Sequence, residues 1–308
     1  MRKNGFHSMK KLQAWISACR LRTLPLSISG AIVGSGVAYS EGVFSLLVFV
    51  FTILTTLSFQ ILSNLANDYG DGVKGTDNEN RIGPERALQS GIISPKQMRN
   101  AIVINVIICL FLVVTLIYQA FGADQFLTSF IFIVLGVLAI IAAIKYTVGA
   151  SAYGYKALGD VMVFLFFGWL SVLGTYFLYS KQIDFLMLLP ASSIGLLSAG
   201  VLNLNNMRDF ESDKLSNKHT LAGYLGLENA RKYHLTLIIL AIFLMLLYFC
   251  LLDQLSISLI MIGFIPLFIH LNSCNKVQNP KDYDPQLKVL ALSTFLLALI
   301  FGASHILI

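Results

Sequence analysis

The feature that most constrains this chain is a series of apolar blocks, each about 20 residues long, separated by mostly short polar connections. At about 1.5 Å of rise per residue, a helical block of that length spans the roughly 30 Å of a bilayer's hydrocarbon core. Lipid offers no partner to backbone N–H and C=O groups, so each block must satisfy its own, as an α-helix does. Nine such helices are predicted, at about 23–40, 43–66, 101–121, 125–144, 160–180, 184–205, 233–252, 255–273 and 287–308. No series of alternating strands suggests a β-barrel.

Composition agrees. Hydrophobic residues make up 56% of the 308 and charged residues only 12%, against about a quarter charged in a soluble domain. The expected fold is therefore all-α and polytopic, a single intramembrane domain over residues 1–308, preceded at 1–22 by a cytoplasmic or interfacial segment. Trp15, Arg20 and Arg22 interrupt that segment, and no short apolar stretch with a small-residue cleavage site follows, so no removable signal peptide is expected.

The net charge of +6 raises the question of nucleic acid, and the placement of the charges answers it. When loops are assigned alternately to the two sides, 21 of the 22 Lys and Arg residues fall on one side and only Lys181 on the other. This positive-inside asymmetry places the N-terminus and the long polar loops in the cytoplasm of a cell whose inner membrane holds the protein. Basicity here reports topology, and no nucleic-acid partner is expected. Cys19, Cys109, Cys250 and Cys274 show no metal-type spacing and are expected as free thiols.

Two cytoplasmic segments are longer than the rest, 64–99 and 203–232, each leaving the cytoplasmic end of an even-numbered helix. The first reads Asn64-Leu-Ala-Asn67-Asp68-Tyr69-Gly-Asp71, continues through Lys74 to Asp77, and then gives Arg81-Ile-Gly83-Pro84-Glu85-Arg86. The second reads Asn205-Asn206-Met-Arg208-Asp209-Phe-Glu211-Ser-Asp213-Lys214. Asn67 and Asp71 are four apart, as are Asn205, Asp209 and Asp213, so each set lies on one helical face as a row of oxygen donors. Matching positions in the two halves of the chain imply two facing rows over one central cavity. Carboxylates this dense would repel one another at a membrane boundary without a cation. Mg²⁺, which prefers oxygen ligands and bridges carboxylates to substrate phosphates, is the natural one. Arg81, Arg86 and Lys74 add donors suited to phosphate oxygens.

These segments resemble the paired aspartate motifs of the UbiA-type intramembrane prenyltransferases. The likeness runs over nearly the whole chain and is carried also by Trp15-Ile-Ser-Ala-Cys-Arg20-Leu-Arg22-Thr23-Leu-Pro25 and by Lys145-Tyr146 through Tyr153-Gly-Tyr155 to Gly159-Asp160. Arg81-x-Gly-Pro-x-Arg86 and Tyr153-Gly-Tyr155 favour the branch of menaquinone biosynthesis that prenylates 1,4-dihydroxy-2-naphthoate. Family members often carry a further Asp where this chain has Gly75, which leaves Asp77 or Asp68 to complete the first metal set. Ala152 stands where that branch usually has Pro.

The resemblance implies a Mg²⁺-dependent transfer from a polyprenyl diphosphate to a dihydroxynaphthoate ring, with loss of diphosphate and CO₂. It places Asn67, Asp68, Asp71, Asp77, Asn205, Asp209 and Asp213 around the metal, with Asp68, Asp71, Asp209 and Asp213 as the catalytic carboxylates. Arg81, Arg86, Arg208 and Lys145 are candidates for the diphosphate. Tyr146, Tyr153 and Tyr155 are candidates to border the allylic cation or the acceptor, since aromatic faces attract positive charge. A bundle interior open to lipid would admit the isoprenoid tail. Two rivals remain: the same enzyme class with 4-hydroxybenzoate or homogentisate as acceptor, and an ion-coupled transporter. The transporter would want ionisable groups near the bilayer midplane, where this sequence has few. His219 is expected to be solvated and the Phe164–Trp169 run to be lipid-facing or packing surface.

Overall fold

The computed structural model describes residues 2–77, 82–252 and 257–307. Among these residues the chain is helical throughout its regular parts, and nine helices are long and apolar enough to cross a membrane, as the apolar blocks predict. An N-terminal helix α1 (Arg2–Cys19) leads into α2 (Leu24–Ser40) across a left-handed turn at Arg20 (φ 48). Then follow α3 (Leu46–Lys74), α4 (Pro95–Phe121) and α5 (Phe126–Lys145). The fifth span comprises α6 (Gly159–Val163), a π-helical stretch Phe164–Leu170 and α7 (Ser171–Ser180). The sixth is α8 (Leu188–Arg208), continued by the short α9 (Phe210–Leu215), and α10 (Leu221–Leu251), α11 (Ile257–Asn275) and α12 (Tyr283–Ile306) complete the bundle.

Two apolar clusters hold it together. The larger joins α2, α4, α7, α8, α10, α11 and α12 through residues such as Val172, Ile194, Leu197, Phe249, Phe264 and Phe301, and the smaller packs α1 and α3 against α4 around Leu62, Met98 and Cys109. Lipid is as apolar as leucine, so helix association there relies on close contact at small residues. Gly36 of α2 meets Gly302 of α12 so closely that a Cβ on Gly36 would lie 2.8 Å from the Gly302 Cα. Outward faces remain apolar, with Ile107, Phe111 and Phe126 exposed, as a lipid-facing surface requires.

The helices extend beyond the apolar blocks where the polar motifs begin. α3 runs to Lys74 rather than stopping near residue 66, and α10 starts at Leu221 rather than near 233. Hydropathy marks only the lipid-buried length of a helix. The additional turns bury polar faces inside the protein, which a hydropathy window scores as loop.

Candidate active site

The first motif lies on the last turns of α3. Gln60, Asn64, the adjacent pair Asn67 and Asp68, and Asp71 follow one another at helical spacings of three or four, and all five line one central cavity of about 690 Å³. Glycine makes room for this end of the helix: a Cβ on Gly70 would sit 2.6 Å from Thr147 Oγ1. Thr147 in turn shares its single hydroxyl proton between the Ala66 carbonyl (3.0 Å) and Asn67 Oδ1 (3.2 Å). Asp71 is held by Tyr155, whose hydroxyl donates to Oδ1 at 2.8 Å. The Tyr155 hydroxyl is itself 2.7 Å from Thr76 Oγ1, and Lys74 Nζ lies 4.0 Å from the centre of the Tyr155 ring.

The second motif starts at the end of α8. Asn205 and Asn206 face the cavity, and the helical progression continues through the α8–α9 junction, where the Asp209 N–H donates to the Asn205 carbonyl and the Asp213 N–H to that of Asp209. Asp71, Asp209 and Asp213 are all at most 5% exposed. The rows converge on Lys218, which lines the cavity and reaches Asp213 Oδ1 at 3.3 Å. Burial works against the Lys218 charge, but the fields of the carboxylates of Asp213, Asp71 and Asp209 outweigh it and raise its pKa. Burial, with Asp209 and Asp71 adding to it, pushes the Asp213 carboxyl up to about 6 despite the opposing pull of Lys218.

The Tyr146–Tyr155 loop closes the gap between the rows. Gly154 packs against Tyr146, Tyr146 and Tyr153 meet edge to face at 5.3 Å, and the Tyr153 hydroxyl donates to the Ala142 carbonyl. Burial raises the Tyr153 hydroxyl to about 12 and moves that of Tyr146 in the same direction, so both are neutral donors. The Ala157 N–H donates to the His219 carbonyl at 2.8 Å, tying this loop to the second motif. His219 thus contributes its backbone, beyond the solvated role expected of it.

Four of the expected site residues stand elsewhere or do other work. Asp68 is 1% exposed and its two oxygens accept from the N–H groups of Ala87 and Leu88 at 3.2 and 3.3 Å, which anchors the loop after the first motif. Asp77 does not line the cavity; its Oδ2 lies 3.6 Å from Arg86 Nε, so it orients Arg86, which does. Arg208 is 1% exposed and donates to Asp209 Oδ1 and Oδ2, Asn205 Oδ1 and Asp284 Oδ1. Four of its five N–H groups are thereby engaged, so Arg208 braces Asp209 and Asn205 at the wall of the cavity that it also lines. Lys145 is exposed, is not among the cavity residues and points along Gly149. Arg81 lies outside the described residues.

Other cavity residues stood in or beside the motif stretches without being assigned a role. Lys218 follows Asp213 by five residues, a spacing with no helical meaning, and its burial is a tertiary fact. Arg20 lines the cavity from the left-handed turn between α1 and α2. Gln60 and Asn64 were legible as an upstream extension of the first polar row. The Phe164–Trp169 run, expected on the lipid or in packing, divides: Phe166 and Phe167 line the cavity, while Trp169 is 40% exposed and donates to Ser192 Oγ.

Away from the polar end the cavity is apolar, walled by Phe59, Val113, Ile117, Phe132, Leu135 and Phe167. The arrangement defines an intramembrane protein with an oxygen-donor and cationic head chamber continuous with a hydrocarbon-lined tail chamber. The UbiA prenyltransferase family model matches residues 27–298, and the chain belongs to that family. Relatives include 1,4-dihydroxy-2-naphthoate octaprenyltransferase of Escherichia coli (strain K12), 45% identical over 75% of this chain and 74% of the relative. The protein of that name from Haemophilus influenzae is also 45% identical, over 75% of each chain. A UbiA homolog from Archaeoglobus fulgidus, solved bound to DMAPP and Mg²⁺, shares the fold with a TM-score of 0.61 at 17% identity, covering 94% of this chain and 99% of that one.

Proposed function

We propose that this protein transfers a polyprenyl group from a polyprenyl diphosphate to 1,4-dihydroxy-2-naphthoate, with release of diphosphate and CO₂. The observation that carries the reading is the convergence of both polar rows on Lys218 at one end of an otherwise apolar cavity. One end suits a diphosphate and the other a prenyl chain. The 45% identity to the naphthoate enzymes supports the choice of acceptor.

The donor set suits Mg²⁺. Asn67, Asp71, Asn205, Asp209 and Asp213 offer hard oxygen ligands, and Asp213 Oδ2 is buried with no hydrogen-bond partner among the described residues, an acceptor that a cation would satisfy. These residues would hold the ion, and its chemistry there is to neutralise the diphosphate oxygens as negative charge develops on them. The protein's own residues do the rest. Tyr155 fixes Asp71, Arg208 fixes Asp209, and Lys218 and Arg86 supply N–H donors for the departing oxygens. Phe166, Phe167 and the tail-chamber residues exclude water from the allylic carbon. The C–O bond to diphosphate breaks with its electron pair leaving on oxygen, and the carboxylate-bearing ring carbon forms the new C–C bond. The bond to CO₂ then breaks, returning its pair to the ring and giving the prenylated hydroquinol, demethylmenaquinol. Tyr146 and Tyr153 border the reacting region.

The 21-to-1 partition of basic residues supports a cytoplasmic N-terminus, a chamber opening to the cytoplasm and placement in the bacterial inner membrane. The test is an acceptor panel with one radiolabelled polyprenyl diphosphate. Naphthoate with its carboxyl carbon labelled should release labelled CO₂ in step with product; preferential turnover of 4-hydroxybenzoate or homogentisate would overturn the assignment.

A further inference from the structure

Behind α8, on the side away from the cavity, lies a second cluster of ligating side chains that the prenyl-transfer chemistry does not use. His234 on α10 and His270 and Cys274 on α11 bring one donor atom each within 4.8 Å of one another. They are 2%, 0% and 7% exposed. His234 Nε2 and His270 Nε2 are 2.9 Å apart, and Cys274 Sγ is 3.4 Å from His270 Nε2. We propose that His234, His270 and Cys274 form a binding site for a thiophilic divalent cation of the Zn²⁺ type, which clasps α10 to α11 behind the second motif.

The geometry is close to that of a bound ion. With Zn–N of about 2.05 Å and Zn–S of about 2.3 Å, tetrahedral coordination puts two nitrogens about 3.3 Å apart and nitrogen and sulfur about 3.6 Å apart. These two separations differ from the expected ones by a few tenths of an ångström; Cys274 Sγ also lies 3.8 Å from His270 Nδ1, so rotation about the Cys274 side-chain torsion has to carry the sulfur round to the Nε2 side. A His₂Cys set is the borderline-soft donor chemistry of Zn²⁺ and contrasts with the oxygen-rich rows of the cavity, which contain no thiol.

The surroundings provide a second-shell partner for His270 and room for a further ligand, while His234 Nδ1 is buried with no hydrogen-bond partner among the described residues. His270 Nδ1 lies 3.2 Å from Gln286 Oε1 of α12. That contact fixes the tautomer that leaves Nε2 free to ligate, as second-shell partners of metal-bound histidines do. A void of about 10 Å³ adjoins the cluster, bordered by His234, Cys274, Met207 and Tyr283. It is about the size of one water, the ordinary fourth ligand where a protein supplies three. The proton balance closes: His234 moves its proton from Nε2 to Nδ1, the Cys274 thiol releases one proton to solvent, and His270 keeps its Nδ1–H.

Comparing the cysteines only with one another hid this site from the sequence. His270 and Cys274 are one helical turn apart, and their third partner comes from the neighbouring helix. Met207, which borders the void, directly precedes Arg208, so the clasp would steady the brace of Asp209.

The test is a Co²⁺ titration of the detergent-purified, metal-stripped protein with Mg²⁺ in large excess to occupy oxygen sites. One equivalent of Co²⁺ should produce a thiolate-to-cobalt charge-transfer band, and Zn²⁺ should abolish it. The band should be lost in Cys274→Ser and retained when Cys19, Cys109 and Cys250 are all replaced by alanine. Zn²⁺ should raise the wild-type Tm in the presence of Mg²⁺ and leave that of Cys274→Ser unmoved. No band in the wild-type protein, or a band undiminished in Cys274→Ser, would overturn the proposal. The first of these outcomes requires no variant to fold.

Discussion

The Tyr155 hydroxyl donates a hydrogen bond to Asp71 Oδ1 at 2.8 Å while its ring lies 4.0 Å from Lys74 Nζ and 5.9 Å from Lys218 Nζ. One aromatic side chain thereby relates a motif carboxylate to two lysines from different segments. A hydrogen bond to a charged group contributes about 1.5–3 kcal/mol, so Tyr155→Phe should lower the single-turnover rate about 10- to 100-fold while keeping the ring and the fold. Steady-state assays over a range of Mg²⁺ concentration check the cause. If Tyr155 positions Asp71, the variant should need more Mg²⁺ for half-maximal rate; an unchanged Mg²⁺ dependence would assign the loss to something else.

Arg208 makes a second kind of prediction, about stability. Its guanidinium is buried among Asp209, Asn205 and Asp284, and removing one partner of such a buried set costs about 3–5 kcal/mol because the remaining charge is left unpaired. Arg208→Gln should therefore lower Tm clearly. Adding Asp209→Asn to that variant should restore part of the lost stability and none of the activity. Thermal unfolding of the three proteins in one detergent decides it, and a single variant as stable as wild type would show the brace to be dispensable.

Arg208 and Lys218 mark what was legible in the sequence. The helix count follows from the length of the apolar blocks and the polar rows on α3 and α8–α9 from periodicity, which is local: residues four apart share a face wherever the helix sits; the family likeness rests on the motif residues themselves. Arg208 has the composition of a phosphate ligand, and only the arrival of Asp284 from α12, 76 residues away, makes it a brace. Lys218 has the composition of a solvated loop residue, and only the burial of three carboxylates around it makes it the charge at the centre of the site. The π-helical turn at Phe164–Leu170 departs from the 3.6-residue period that sequence patterning assumes. The local pattern identified which residue types matter, and long-range packing determined their partners.

The orientation in the membrane can be read directly. In a variant whose four native cysteines are replaced, single cysteines at Lys96 or Lys214, both exposed, should react with a membrane-impermeant maleimide only from the cytoplasmic face. A cysteine at Gln182, exposed beside the lone basic residue of the other side, should react only from the periplasmic face. Labelling of Lys96→Cys and Gln182→Cys from one face would overturn the alternation of spans between them.

Metal dependence follows from the oxygen donors of both rows. Removing Mg²⁺ with excess chelator should abolish turnover, and restoring it should recover the rate. Ca²⁺ should substitute poorly, because it favours longer bonds and more ligands than a Mg²⁺ site supplies. Full activity in excess chelator would exclude the two-row metal site.

The sharpest test concerns Asp71 and Asp209, which come from opposite halves of the chain and both act on the field at Lys218. If they stabilise the departure of one diphosphate together, each is needed for the other to work. Asp71→Asn and Asp209→Asn should then each slow single turnover by several kcal/mol, and the double variant should be little slower than the worse single one, because groups that act as a unit are strongly non-additive. Asparagine keeps the size and one oxygen of each side chain, and Tyr155 and Arg208 each retain an acceptor for a hydrogen bond. The rates are measured at saturating acceptor, with protein recovered from membranes as the control for folding. Strict multiplication of the two losses would mean two independent sites, and a nearly active Asp209→Asn would confine catalysis to the first row.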